Sequence, residues 1–264
     1  MVTDILIARP MRRRVTSGVL GYAPTMRPTV FDLDQTLIRA ETLDWRLWLA
    51  AITEALGVPI PVDEDWSVHP VHTDHGLLES LSHSLRGRPF ISEERARFEA
   101  RLLARLDAAL AEVPNVFVAI PGAAEVLDAL SGRAALATGN LHAVTRRKLR
   151  SSGLDHHALP CSCSVAGIDR TELVRRALAR VGWTGGPATS FGDGVWDVRA
   201  ARALGVGFVG VAQTDAHAAR LHAAGARRVL RDYTDLARVL EWVEGAEVPG
   251  AEARAGPWFA PRDA

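Results

Sequence analysis

The stretch Val30-Phe31-Asp32-Leu33-Asp34-Gln35-Thr36-Leu37-Ile38 sets an apolar strand directly ahead of two carboxylates one residue apart. In an extended chain, side chains two apart point to the same side, so Asp32 and Asp34 share a side for as long as the strand lasts. Where it ends the chain turns, and one carboxylate can aim at a substrate while the other stands beside it. Two negative groups this close repel each other. Either a divalent cation between them or a proton kept on one of them makes the arrangement tolerable. We read the stretch as a catalytic centre, against the plainer possibility of solvated acids at a surface strand end.

Two more predicted strand ends carry suitable groups. Ala135-Leu136-Ala137-Thr138-Gly139-Asn140 runs into a helix. A hydroxyl, a glycine and the free amides of a helix N-terminus make a phosphate cradle, although Thr-Gly-Asn is also a common turn and cap. Ser190-Phe191-Gly192-Asp193-Gly194-Val195-Trp196-Asp197 ends another strand, with Asp193 and Asp197 four apart. Oxygen ligands of this kind suit a hard cation such as Mg2+, while an Asp in the first turn of a helix is equally at home as a helix-terminus charge.

From Pro121 onward the pattern alternates helix and short apolar strand. Helices are expected at 122–130, 141–151, 171–181 and 197–204, with strands at 133–137, near Cys163, at 188–192 and at 206–211. Repeated units of this kind predict an α/β fold, a Rossmann-like doubly wound parallel sheet, with ligands at the carboxyl ends of its strands. Between the first strand and this region the periodicity is helical throughout. Leu43, Leu47, Trp48, Ile52 and Leu56 mark one helix, Leu77, Leu78, Leu81 and Leu85 a second, and Phe98, Leu102, Leu106 and Leu110 a third that begins near Ser92. An insert of roughly eighty residues is too long for a loop and must be a small domain of its own.

The totals narrow the function classes. Of 264 residues, 48% are apolar, as in an ordinary globular chain, and 31 basic residues balance 31 acidic ones. No overall field draws the chain to nucleic acid or an anionic membrane, which leaves a small molecule as substrate. The most apolar run, residues 203–212, is too short to span a bilayer. Cys161 and Cys163, the only cysteines, are spaced for neither a zinc site nor an ordinary structural disulfide. They are expected to pack along a short strand in a cytoplasmic protein.

The string DLDQT resembles the first motif of the haloacid dehalogenase-like phosphohydrolases, an apolar strand followed by Asp-x-Asp-x-Thr. Thr138 resembles the second motif of that superfamily, and Asp193 and Asp197 its fourth. For the third, usually a Lys, Arg170 stands at the matching position. Lys148, the chain's single lysine, lies on the helix after the second motif, where Arg146, Arg147 and Arg150 suggest a solvated face. The likeness spans about residues 28–245, and Pro121-Gly122 and Gly205-Val206 are similar to the phosphoglycolate-phosphatase-like branch, which carries a helical cap.

The resemblance implies a core of residues 28–39 and 118–245 and an all-helical cap of residues 40–117. It leaves a basic N-terminal extension, 1–27, expected to be disordered, and a mobile C-terminal tail, 246–264. A chain beginning at Met26 is expected to fold and work. The implied activity is a Mg2+-dependent phosphatase acting on a small phosphate monoester. Asp32 is the nucleophile, and Asp34, kept protonated by acidic neighbours, is the acid and base. Thr138, Gly139 and Arg170 hold the phosphate, and Asp32, the Asp34 carbonyl and Asp193 hold the metal, with Asp197 in support. Asp34 and Asp193 argue against dehalogenase chemistry, and the absence of a cap lysine against a Schiff-base hydrolase. A sugar-phosphate mutase or a catalytically silent binding protein is the alternative, as monomer or homodimer. Thr73-Asp74 resembles the pair that opens a cap helix facing the site in that branch. His69, His72 and His75 are read as surface residues rather than a metal site, and Trp45 and Trp48 as helix packing.

Overall fold

A computed structural model describes residues 26–39, 42–60 and 72–251. Most of the N-terminal extension, His69 and the end of the C-terminal tail lie outside the described residues. At the centre stands β1 (Thr29–Phe31), paired in parallel with β4 (Ala134–Ala137) on one side and β6 (Thr189–Gly192) on the other. With β5 (Cys161–Ser162), β7 (Gly207–Val211) and β8 (Val229–Leu230) they form a six-stranded parallel sheet of order β5-β4-β1-β6-β7-β8. The chain therefore winds outward from β1 in both directions, the doubly wound order whose switch point binds ligands beyond the strands' carboxyl ends.

Alternation along β1 divides the interior into two cores. Phe31 packs with Val126 and Leu127 of α4 (Ala123–Ala129), Val144 of α5 (His142–Ser151), and Val239 and Val243 of α9 (Leu236–Gly245). Its neighbour Val30 faces the other way, among Leu173 and Leu178 of α6 (Arg170–Arg180), Val198 and Ala201 of α7 (Val195–Leu204), and Leu221 of α8 (Asp215–Ala223). A strand covered on both faces must be apolar throughout, as Thr29–Phe31 nearly is. Gly122, at φ 80°, lets the chain cross under Tyr233, where a Cβ would lie 2.4 Å from a backbone carbonyl. The Tyr233 hydroxyl in turn donates to the Thr36 carbonyl at 2.9 Å and so buttresses the turn after the two acids.

The helical insert is tied off at its base by a two-stranded antiparallel ladder of β2 (Ile38–Arg39) and β3 (Val118–Ala119). Between them lie α1 (Thr42–Leu56), α2 (Asp74–Arg86) and α3 (Ser92–Glu112). Ile52 of α1 and Phe98, Leu102 and Leu106 of α3 are buried in one cluster with Leu78 and Leu81 of α2. Thr73 caps α2 by accepting from the Gly76 amide. Glu94 reaches back to the Ile91 amide at the start of α3 and takes both Arg86 and Arg88.

Three features depart from expectation. The β2–β3 ladder and β8, of two residues each, hold no period to be read from the pattern, and the helices α8 and α9 were not anticipated. Cys161 and Cys163 are paired as a disulfide, with Cα atoms 6.0 Å apart. Residues two apart on an extended strand point the same way, which is what brings the two sulfurs together. Residues 246–251, assigned to a mobile tail, are bonded to the core: the Phe208 amide donates to the Glu247 carbonyl and the Gly250 amide to the Gly225 carbonyl.

Candidate active site

Pairing of Phe31 with Leu136 and with Phe191 aligns the three central strand ends. Asp32, Thr138 and Asp193 therefore emerge together, and all three line one cavity of about 320 Å³. Asp34, Gly139 and Arg170 line it as well. Asp197 does not line it but sits behind, buried at the N-terminus of α7, accepting from the Gly194 amide at 3.0 Å.

Arg170, at the start of α6, is buried with its guanidinium against two carboxylates. Nη2 is 2.6 Å from Asp32 Oδ1, and 2.6 Å from Asp197 Oδ1. Burial opposes its charge, but Asp197 and Asp32 outweigh that and hold its pKa above the ordinary value. Burial pushes the Asp32 carboxyl up to about 7; the Arg170 cation opposes this, and the Asp197 and Asp34 charges add to it. Asp193 is raised well above its usual value, by burial and then by Asp32 and Asp197.

Carboxylate oxygens of Asp32, Asp193 and Asp197 lie within 4.8 Å of one another. An all-oxygen donor set with raised proton affinity is what a hard divalent cation would satisfy, so these residues fit one.

Thr138 is buried, its Oγ1 accepting from the Asn140 amide at 3.2 Å and from Asn140 Nδ2 at 2.9 Å. Gly139 is needed for a reason the sequence did not reveal. A Cβ there would lie 2.7 Å from the His72 carbonyl oxygen, because the chain entering α2 runs directly over it. The Asp74 amide donates to the Gly139 carbonyl at 2.8 Å. Asp74 itself accepts from Trp48 Nε1 at 2.9 Å and from the Leu141 amide at 2.8 Å, joining α1, α2 and the start of α5.

Lys148 overturns the expectation of a solvated face. It is fully buried, with Nζ 3.0 Å from both oxygens of Asp34, 2.7 Å from Asp44 of α1 and 3.1 Å from Asn140 Oδ1. Helical geometry explains it: Leu141, Val144, Thr145 and Lys148 form one buried stripe at i, i+3, i+4, i+7, while Arg146 and Arg150 point out on the other side. The nearest charged partner of Asp34 is thus a cation, not the acidic neighbours invoked to keep it protonated. Burial works against the ammonium, but Asp34 and Asp44 prevail and raise its pKa. The apolar stripe of α5 was the available signal for Lys148; nothing in the spacing marked Asp44.

His72 and His75, the two of the three histidines among the described residues, do not share partners. His72 stacks on Trp196 with ring centroids 4.0 Å apart, whereas His75 bonds Ser164 Oγ at 2.9 Å. Trp48 packs against Phe98 and Trp45 stacks on Trp48, as helix packing requires, yet both also line the cavity.

Fold and site together define a doubly wound α/β protein with an acidic centre at its strand ends. A family model for haloacid dehalogenase-like hydrolases matches residues 29–205, and the chain belongs to that family. No curated protein matches it at a significant level. Among solved structures, a hydrolase from Pseudomonas syringae is similar at 23% identity and TM-score 0.62, over 84% of this chain and 100% of that one. A putative beta-phosphoglucomutase from Bacteroides vulgatus is similar at 19% identity and TM-score 0.61, over 84% and 90%. A predicted phosphoglycolate phosphatase from Haemophilus somnus 129PT is similar at 16% identity and TM-score 0.54, over 82% and 99%. At these identities the likeness is one of fold. No helix among the described residues is long and apolar enough to cross a membrane.

Proposed function

We propose that the protein is a Mg2+-dependent phosphatase that hydrolyses a small phosphate monoester through an aspartyl-phosphate on Asp32. The observation that carries this reading is the convergence of Asp32, Asp34, Thr138 and Asp193 on one cavity, with Arg170 against Asp32. When bound, Mg2+ would be held by Asp32, the Asp34 carbonyl and Asp193, with Asp197 in support, and would offset the charge of the phosphate.

Asp32 attacks phosphorus, the bond to the ester oxygen breaks, and Asp34, loaded with a proton from solvent as substrate binds, passes it to the departing oxygen, with Lys148 holding the carboxyl group in place. Water then attacks the same phosphorus, Asp34 takes its proton, and the Asp32 carboxylate and inorganic phosphate are released. Arg170 fixes the orientation of the nucleophile, and with Thr138 and the backbone at Gly139 it stabilises the phosphoryl oxygens as charge shifts. The helical insert serves as the cap over this chamber.

The test is phosphate release from a panel of monoesters, with and without Mg2+, in the wild type and in Asp32→Asn. Metal-dependent release that vanishes in the variant is expected. Release that survives the substitution would overturn the nucleophile, and an isomeric ester in place of free phosphate would transfer the assignment to a mutase.

A further inference from the structure

Asp193 stands between Gly192 and Gly194 in the short connection from β6 to α7, so neither neighbour in the chain has a side chain to brace it. The direction of its carboxylate is therefore set by what grips the peptide group that follows it. The Gly194 amide of that group donates to Asp197 Oδ2 at 3.0 Å. Its carbonyl, which belongs to Asp193, lies 2.6 Å from Nε2 of His217. A carbonyl oxygen can only accept, so Nε2 carries the ring proton and donates it. A peptide group is planar, and this one is held at both ends. Turning it over would break both bonds at once.

His217 reaches this place through the order of the sheet. β6 and β7 are parallel neighbours, with Gly192 opposite Gly210, so the start of α8, beyond β7, comes up beside the end of β6. Thr214 caps α8, and its Oγ1 accepts from the His217 amide at 3.2 Å, which fixes the histidine in the first turn.

The same half of the sheet supports the turn after β1. Gln35 there has φ 56°, a left-handed conformation that residues other than glycine seldom adopt. The Gln35 carbonyl accepts from Gln213 Nε2 at 3.4 Å, and the Thr36 carbonyl from the Tyr233 hydroxyl at 2.9 Å. His217, Gln213 and Tyr233 all lie beyond residue 205, where the match to the family model ends.

Resting on the metal-site reading above, we propose that His217 is a positioning residue: by holding the 193–194 peptide it aims the Asp193 carboxylate at the divalent cation. A bond to a ligand's own backbone acts on the metal only through the ligand's direction, so its loss weakens binding without removing a ligand.

The experiment titrates the protein with Mn2+, an ion that takes oxygen ligands as Mg2+ does, and follows the free ion by electron paramagnetic resonance with no ester present. Asp193→Asn identifies the site, because the binding event it weakens is the one to score. His217→Phe keeps a ring and removes the donor, and is expected to weaken that event by about tenfold, the lower end of what outer partners of metal ligands cost. In His217→Gln the amide nitrogen stands as many bonds from Cα as Nε2 does, and most of the affinity should return. In His217→Asn it stands only as far out as Nδ1, and the affinity should stay low. A bond that merely seats α8 would lower the melting temperature of the metal-free protein and leave Mn2+ affinity untouched. Unchanged affinity in His217→Phe, equal affinities in the Gln and Asn variants, or no Mn2+ binding that responds to Asp193→Asn would each overturn the proposal.

Because the metal is counted without substrate, this result is separable from turnover. If no ester is hydrolysed but His217→Phe still weakens Mn2+ binding, the phosphatase reading fails and the positioning role stands. Ester hydrolysis with Mn2+ affinity indifferent to position 217 gives the reverse.

Discussion

Lys148 Nζ lies 3.0 Å from both carboxylate oxygens of Asp34, and the same ammonium holds Asp44 of α1 at 2.7 Å. One buried cation thus joins the second acid of the catalytic stretch to the helical insert. Lys148→Met leaves two carboxylates facing each other around an apolar side chain. Because Asp34 and Asp44 are each about a quarter exposed, the expected loss is about 2 kcal/mol, below that for a fully buried pair. Denaturant midpoints check it. Phosphate release should fall more than tenfold, a part of the roughly hundredfold or more that a positioned general acid contributes, and Lys148→Arg, with a flat fork in place of a point charge, should not restore it fully.

Asp74 gives the chain a pH signature. Burial, opposed by its bonds from the Leu141 amide and Trp48, pushes its carboxyl up to about 7 from an ordinary 3.8. The folded protein binds this proton more tightly than the unfolded chain, so the contribution is fully present below the unfolded value. It is lost as pH rises through about 7. Wild-type stability is expected to fall by a few kcal/mol between pH 4.5 and 7.5 from this group, on the order of 1.4 kcal/mol for each tenfold difference in proton affinity between the folded and unfolded chain. Asp74→Asn, which cannot ionise, should show a shallower slope in thermal melts across that range.

Glu94 acts in the opposite sense. Side-chain bonds from Arg86 and Arg88 hold its carboxyl well below the usual 4.5. Its stabilisation is therefore present above that value and lost as pH falls. Glu94→Ala leaves the nearly buried Arg86 without its carboxylate and is expected to cost about 3 kcal/mol. The effect should appear at neutral pH and shrink in acid, and hydrogen exchange should locate it in α2 and α3.

At Gly139 the expected damage is to the joint between insert and core. Ala there would drive its Cβ to 2.7 Å from the His72 carbonyl and 3.2 Å from the Thr73 Cα. Both neighbours are backbone, so relief requires moving the start of α2 away from the site. Gly139→Ala is expected to raise KM several-fold, with a stability loss of about 1–3 kcal/mol. An unchanged KM would show that the close approach is not maintained in solution.

The opening run of the core, from Val30 to Thr36, illustrates what sequence can carry. An apolar run ending in Asp-Leu-Asp-Gln-Thr is a local signal: strand periodicity, a turn, and two charges that must be dealt with. The same holds for Thr138, Asp193 and Arg170, which sit at strand ends or a helix start and are found by walking the pattern. The helices of the insert were legible because apolar stripes of three or four turns repeat at a fixed spacing. The two-residue strands β2, β3 and β8 were not, since two residues hold no period, and their pairing is set by what lies across from them.

Lys148 marks the boundary between the two kinds of knowledge. Its position on the buried stripe of α5 is written in the sequence; that a charge can live there is not, because it depends on Asp34 arriving from β1 and Asp44 from α1. The sequence by itself determined the doubly wound sheet and the acids at its centre, through local periodicity and residue chemistry. Only the tertiary structure decided which cation holds Asp34, why position 139 must be glycine, and which rings face the phosphate site. Each of these is a contact between segments dozens of residues or more apart, and burial and electrostatics act through space rather than along the chain.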